Sequence, residues 1–246
     1  MAKLVIGNNK TVGVPAITKK VEELPALGLM RAKDANGKLI ASTTESRIMD
    51  FTGVTDVDNY MLVYAYYQNT AVSGAVDMSD LTTISGDTAC RYMFFYCTGI
   101  TSVDLSSLTT ISGSSACVNM FAGCLGITSV NLSSLTTISS SSACNNMFAY
   151  TSLTSIDMSS LTTISGSSAL NGMFNGCTSL ATVRIGNTTA INFGTRTNQF
   201  NSMFQNCSQN IDVYAPAASK STIEAFSGYP NFGGTGTVTW HWNTAE

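Results

Sequence analysis

Residues 103–129 read VDLSSLTTISGSSACVNMFAGCLGITS, and the 27 residues before them, 76–102, read VDMSDLTTISGDTACRYMFFYCTGITS. Two further copies come next, VNLSSLTTISSSSACNNMFAYTSLTS at 130–155 and IDMSSLTTISGSSALNGMFNGCTSLAT at 156–182. The period is 27, with one residue deleted in the copy at 130–155. Self-similarity at such a period marks a solenoid, because one short unit cannot bury its apolar face without stacked neighbours. The same register extends backwards to a degenerate copy at 49–75, with Met49, Phe51, Val54 and Val57 in the apolar places. Forwards, Val183, Ile185 and Ile191 open a sixth copy that gains three residues before Met203 and Phe204, and Ile211 and Val213 start an incomplete seventh.

Each unit has a readable pattern. In ITSVDLS, Val103 and Leu105 alternate with Ser102, Asp104 and Ser106, which predicts a short half-buried strand. Leu108 and Ile111 then punctuate a hydroxyl-rich bend. Cys117, Met120, Phe121 and Cys124 fall at i, i+3, i+4 and i+7, which predicts a short helix capped by Ser114 or Ser115. The expected fold is an α/β repeat solenoid of about six strand-plus-short-helix units with parallel stacked strands and capped ends.

Composition narrows the function. Of 246 residues, 44% are hydrophobic, enough for a sizeable core, while only 11% are charged. Thirty-one serines and 32 threonines take up the difference. A net charge of −3 argues against nucleic-acid binding through phosphate contacts. The first 47 residues hold eight bases against four acids, and the remainder holds four against eleven, so a head of about +4 precedes a body of about −7. The opening MAKLVIGNNK lacks the apolar core of a signal peptide, and no run approaches a membrane span. The expectation is a chain made in the host cytoplasm without membrane insertion.

The strand patterns LxxVxL at Leu180–Ile185 and IxxVxL at Ile127–Leu132 resemble the leucine-rich-repeat signature. The added MFxxC blocks, Met120–Cys124 and Met173–Cys177, make the units similar to BspA-type bacterial leucine-rich repeats, which carry an aromatic-plus-Cys block before the strand. The segment IDVYAPAASKSTIEAF, residues 211–226, is similar to the strand-then-helix ending of such arrays. This resemblance covers about 49–226 and implies a leucine-rich-repeat-like fold and a role in cell-surface adhesion. The opening MAKLVIGNNKTVGVPA resembles tail, fibre or head-decoration proteins of gut bacteriophages, which implies a virion component.

Candidate chemistry is sparse. The seven cysteines occupy two repeat positions (Cys90, Cys117 and Cys144; Cys97, Cys124, Cys177 and Cys207), match no zinc spacing, and read as small buried hydrophobes. An outward strand row of Asp77, Asp104, Asn131, Asp157 and Arg184, flanked by serines, reads as a solvated face or as a shallow ligand-facing row for a glycan or a cation. Among the aromatics, Tyr66 and Tyr67 align with the Met-Phe pair and read as core, with Tyr60 nearby. Tyr64, Phe95, Tyr96 and Tyr150 fall where copies vary and suit either a protein or sugar contact or packing between units. In TVTWHWN, alternation sets Trp240 and Trp242 on one face and a lone structural His241 on the other. A glycoside hydrolase built on the aspartate row would need two carboxyls about 5–5.5 Å apart in a cleft. A flat solenoid face supplies no enclosure, so the chain reads as non-enzymatic, without cofactor or metal.

The chain divides into three parts: a basic docking arm of β-hairpins at 1–48, a solenoid at 49–210, and a C-terminal cap at 211–246. KLVIGNNKTVGV predicts one hairpin about Asn8-Asn9, and LGLMRAKDANGKLIAS a second about Asp34–Gly37. Lys3, Lys10, Lys19 and Lys20 mark the arm as the docking element for other virion or surface proteins, or for another copy in a homo-oligomer. The expected function is a non-enzymatic virion component of a bacteriophage whose repeats meet a glycan or protein receptor on host or gut surfaces. The alternative is a BspA-like adhesin at the bacterial cell surface.

Overall fold

The computed structural model describes residues 51–244 except 52, 58–61 and 197, together with four strands near the N-terminus. Those strands are Ala2–Ile6, Lys10–Val14, Lys20–Leu24 and Leu29–Lys33, in the order second, first, third, fourth. The first two form the expected antiparallel hairpin, with Ile6 opposite Lys10. The fourth pairs antiparallel with the third, Lys20 opposite Lys33, and the hairpin expected about Asp34–Gly37 lies outside the described residues.

Beyond the arm the chain winds into a parallel-strand β-solenoid of about seven turns, with equivalent residues about 27 apart. Each coil contributes to three stacks. The longer strands Ser73–Asp77, Gly99–Asp104, Ser129–Asn131, Ser155–Met158, Thr182–Ile185, Ile211–Pro216 and Val238–Asn243 build the first. Register there is set by identity: Val76 lies beside Val103 and Val103 beside Val130, so one slip would turn every valine outward. Two-residue Thr-Ile strands such as Thr110–Ile111 and Thr137–Ile138 build the second. There, Thr109 donates its hydroxyl to the Thr82 carbonyl and Thr136 to that of Thr109, both at 3.0 Å.

The third stack corrects the α/β expectation. The segments expected as helices are ladders of successive tight turns. Across 88–97, alternate N–H groups bond locally, as in Met93 N–H to Cys90 O at 3.1 Å. The intervening ones reach the next coil, as in Cys90 to Ala116 O and Phe94 to Met120 O, both at 2.8 Å. Every fourth residue takes a left-handed conformation: Thr88, Tyr92 and Tyr96, then Ser115, Asn119 and Gly123, then Ser142, Asn146 and Tyr150. Ser115 is therefore a ladder member and no helix cap. A repeat of four residues with two facing inward produces the same i, i+3, i+4, i+7 stripe as a short helix. Left-handed non-glycine residues cost about 1–2 kcal/mol each, and the coil-to-coil hydrogen bonds offset that cost. The only α-helix among the described residues is Lys220–Glu224, in the strand-then-helix ending expected from 211–226.

One continuous core runs through the coils, lined by Val, Leu and Ile from both strand stacks and by Met, Phe and Cys from the turn ladder. Its axis is an aromatic column: Tyr66, Phe94, Phe121, Phe148, Phe174 and Phe204 stack with centroids 5.0–6.4 Å apart and planes within 13°.

Candidate binding surfaces

On the strand face the structure gives the aspartate row a structural task. Asp77, Asp104, Asn131, Asp157 and Arg184 occupy equivalent register positions. Each acidic or amide member accepts the N–H two residues on: Ser79 to Asp77 at 3.0 Å, Ser106 to Asp104 at 2.9 Å, Ser133 to Asn131 at 3.2 Å and Ser159 to Asp157 at 2.8 Å. These side chains start the bend after the strand, a task Asn performs as well as Asp. The hydroxyl and N–H of Ser79 hold the Asp77 carboxyl below the usual carboxylate range.

Past Asp157 the row changes character. The Arg184 guanidinium lies 4.5 Å from the centre of the Tyr214 ring, and His241 stacks on Tyr214 at 4.6 Å. His241 Nε2 sits 2.8 Å from Asp212 Oδ1. The tryptophans do share the opposite face, Trp240 against Phe200 and Trp242 at 5.6 Å from Trp240. His241 is thus not a lone residue. Its partners Asp212 and Tyr214 come from the neighbouring strand, 29 and 27 positions away, where sequence proximity gives no hint.

The turn ladder carries the other outward surface. Tyr64 stacks on Tyr92 at 5.0 Å and Tyr67 on Phe95 at 5.1 Å, and edge-to-face contacts join the two columns. Phe95 meets Tyr96 at 4.6 Å. Tyr67 therefore belongs to this half-exposed set and not to the core pair, because Tyr66 is the residue stacked on Phe94. Tyr60 and Lys19 lie outside the described residues. Tyr92 and Arg91 complete the patch, with the Arg91 guanidinium 5.2 Å from the Tyr92 ring centre. The sequence pattern missed both, since later copies carry Asn, Gly or Ser at the place of Tyr92 and Val or Asn at that of Arg91.

Tyr96 and Tyr150, 44% and 45% exposed, stand further along the ladder. Each lies over a glycine of the next coil. A Cβ on Gly123 would come within 2.7 Å of Tyr96, and one on Gly176 within 2.4 Å of Tyr150. The alternation of Tyr and Gly at this position is thus a packing rule.

All seven cysteines are buried and free. Four thiols donate to a carbonyl of the preceding coil: Cys97 to Tyr66 O and Cys124 to Phe94 O at 2.9 Å, Cys177 to Phe148 O and Cys207 to Phe174 O at 3.1 Å. Burial pushes the Cys97, Cys144 and Cys207 thiols up to about 12, and the other four upward as well. Thr151 takes the Cys position in its coil and donates to its own Phe148 O at 2.9 Å. Among the described residues no group of three His, Cys, Asp or Glu side chains is placed to hold a metal ion, and no helix is long and apolar enough to cross a membrane. Comparison with protein-family models, with curated proteins and with solved structures finds no match for this chain.

Proposed function

We propose that this chain is a non-enzymatic display protein, a bacteriophage virion component whose basic arm docks on the particle and whose solenoid meets host or gut-surface molecules. The observation that carries this reading is the split between inward and outward positions. From coil to coil the inward set repeats almost unchanged, as in Met93-Phe94, Met120-Phe121, Met147-Phe148 and Met173-Phe174. Beside it, the half-exposed set runs Arg91-Tyr92, Val118-Asn119 and Asn145-Asn146, then Asn171. A rigid, uniform stack presenting different side chains is the usual form of an extended solenoid binding surface. The excess of basic residues in the first 47 supports a separate docking task for the arm.

The second reading, a BspA-like cell-surface adhesin, is favoured by the leucine-rich-repeat-like strand signature in Ile127–Leu132 and Leu180–Ile185. Both readings use the same solenoid surface, and they differ in what the arm holds.

Removing residues 1–47 separates docking from folding. The truncated chain should keep the far-ultraviolet circular dichroism of the β-solenoid yet fail to sediment with DNA-filled particles, while the full chain sediments with them. A folded, truncated chain that still joins the particle contradicts the docking role.

A further inference from the structure

We propose that the turn ladder binds an extended acidic oligosaccharide, with the tyrosine cluster taking sugar rings and Arg91 taking a carboxylate. The inference rests on the display reading above and names the ligand class of that surface.

Charge sets this face apart. Across the ladder segments 62–69, 88–97, 115–124, 142–151, 168–177 and 202–207 there is no Asp or Glu, and Arg91 is the one Lys or Arg. The rest of the body is acidic, so the ladder is its neutral, single-cation side. One cation is too few for a nucleic-acid backbone, whose binding rests on neutralising several phosphates.

Hydrogen-bonding capacity is also left unused there. The Arg91 Nε is shielded from water and has no acceptor among the described residues, and its guanidinium lies over the Tyr92 ring. A carboxylate is the group whose two oxygens match the guanidinium fork. The hydroxyls of Tyr64, Tyr67, Tyr92 and Tyr96 likewise have no partner among the described residues. In-column stacking occupies ring faces within the cluster and leaves hydroxyl-bearing edges and the half-exposed Tyr96 ring outward. An apolar surface rimmed by hydroxyls suits a sugar ring, which offers C–H faces and O–H edges together.

Beyond the cluster, the half-buried Asn145, Asn146 and Asn171 stand at the positions of Arg91, Tyr92 and again Arg91, with the Asn146 carboxamide over Gly172 of the next coil. Asn146 sits at a left-handed position, where the backbone alone explains the residue type. Asn145 and Asn171 do not, so their amides need another reason. Coils stack about 4.8 Å apart, which makes the face a comb of donors and acceptors along which a linear chain of hydroxylated rings can lie.

Titration calorimetry on the full-length chain tests this with three probes: oligogalacturonate, alginate oligomers and sialylated mucin O-glycans, each beside its carboxyl-reduced form. At least one acidic probe should bind, and its reduced form about tenfold more weakly. Arg91→Gln should weaken the acidic probe by a similar factor and erase the preference for it. Tyr96→Ala should weaken both forms alike, and Asp157→Asn on the strand face should change neither. A native far-ultraviolet circular dichroism spectrum in each variant at the assay temperature confirms that the fold is kept, since Tyr96→Ala also uncovers Gly123. Failure of all three acidic probes overturns the proposal, as does binding indifferent to Arg91→Gln, or a protein ligand captured by this face when no glycan binds. Glycan binding by a chain missing from particles would sink the virion reading and leave this inference standing. A particle-borne chain that binds no glycan would do the reverse.

Discussion

Raising the pH from 8 to about 11 should unfold this chain in one steep transition. Seven thiols are buried, all with ionisation pushed upward by loss of solvation, so the folded chain keeps their protons. In the unfolded chain a thiol ionises near pH 8.5. Above that pH the unfolded state binds fewer protons than the folded one, so stability falls as pH rises. The stabilisation is fully present below about pH 8.5 and lost towards the folded-state values, which for Cys97, Cys144 and Cys207 lie near 12. Each blocked thiol removes about 1.4 kcal/mol per pH unit, so the six pushed furthest, all but Cys177, together approach a slope of about 8 kcal/mol per unit. Against a typical total of about 5–15 kcal/mol, one to two units above pH 8.5 suffice. Circular dichroism against pH should show a midpoint between about pH 9 and 10.5. A chain with Cys90, Cys117 and Cys144 replaced by alanine should show a shallower slope at its own midpoint. Intact β-signal at pH 11 would contradict the buried-thiol account.

Phe121→Ala is expected to cost about 3–5 kcal/mol in urea unfolding. The ring is fully buried between Phe94 at 5.3 Å and Phe148 at 5.7 Å, so truncation removes both stacking partners' contacts and opens a void on the solenoid axis. Unlike a loop substitution, it also weakens the interface between successive coils, on which a repeat array depends. Leu125→Ala, at a side chain 57% exposed, is the control and should stay within about 0.5 kcal/mol. A loss below about 1 kcal/mol for Phe121→Ala would contradict the register that places it on the axis.

Repetition made the solenoid legible, since Val76, Val103 and Val130 announce adjacent strands by recurring in one register. The turn ladder was less so. Over eight residues a period of 3.6 and a period of 4 place Cys117, Met120, Phe121 and Cys124 on the same side, and the apolar stripe cannot choose between them. The intervening residues could have. Ser115, Asn119 and Gly123, and Ser168, Gly172 and Gly176, recur at steps of four. Such residues are poor helix formers, and Asn and Gly are the ones that tolerate left-handed backbone best. The Asp212–His241 pair and the Arg184–Tyr214–His241 stack were hidden for a different reason. Arg184 and Tyr214 are paired across a 30-residue step, and Tyr214 and His241, although 27 apart, are residue types with no counterpart in the earlier copies, so no recurring pattern marks them.

Fractionating a producing culture on a density gradient, with mass spectrometry of each band, tests the display account most directly. Co-banding of this chain with DNA-filled particles at a fixed copy number is the predicted result. Recovery with washed cell envelopes would replace the virion reading by the adhesin, and confinement to the soluble fraction would contradict display altogether.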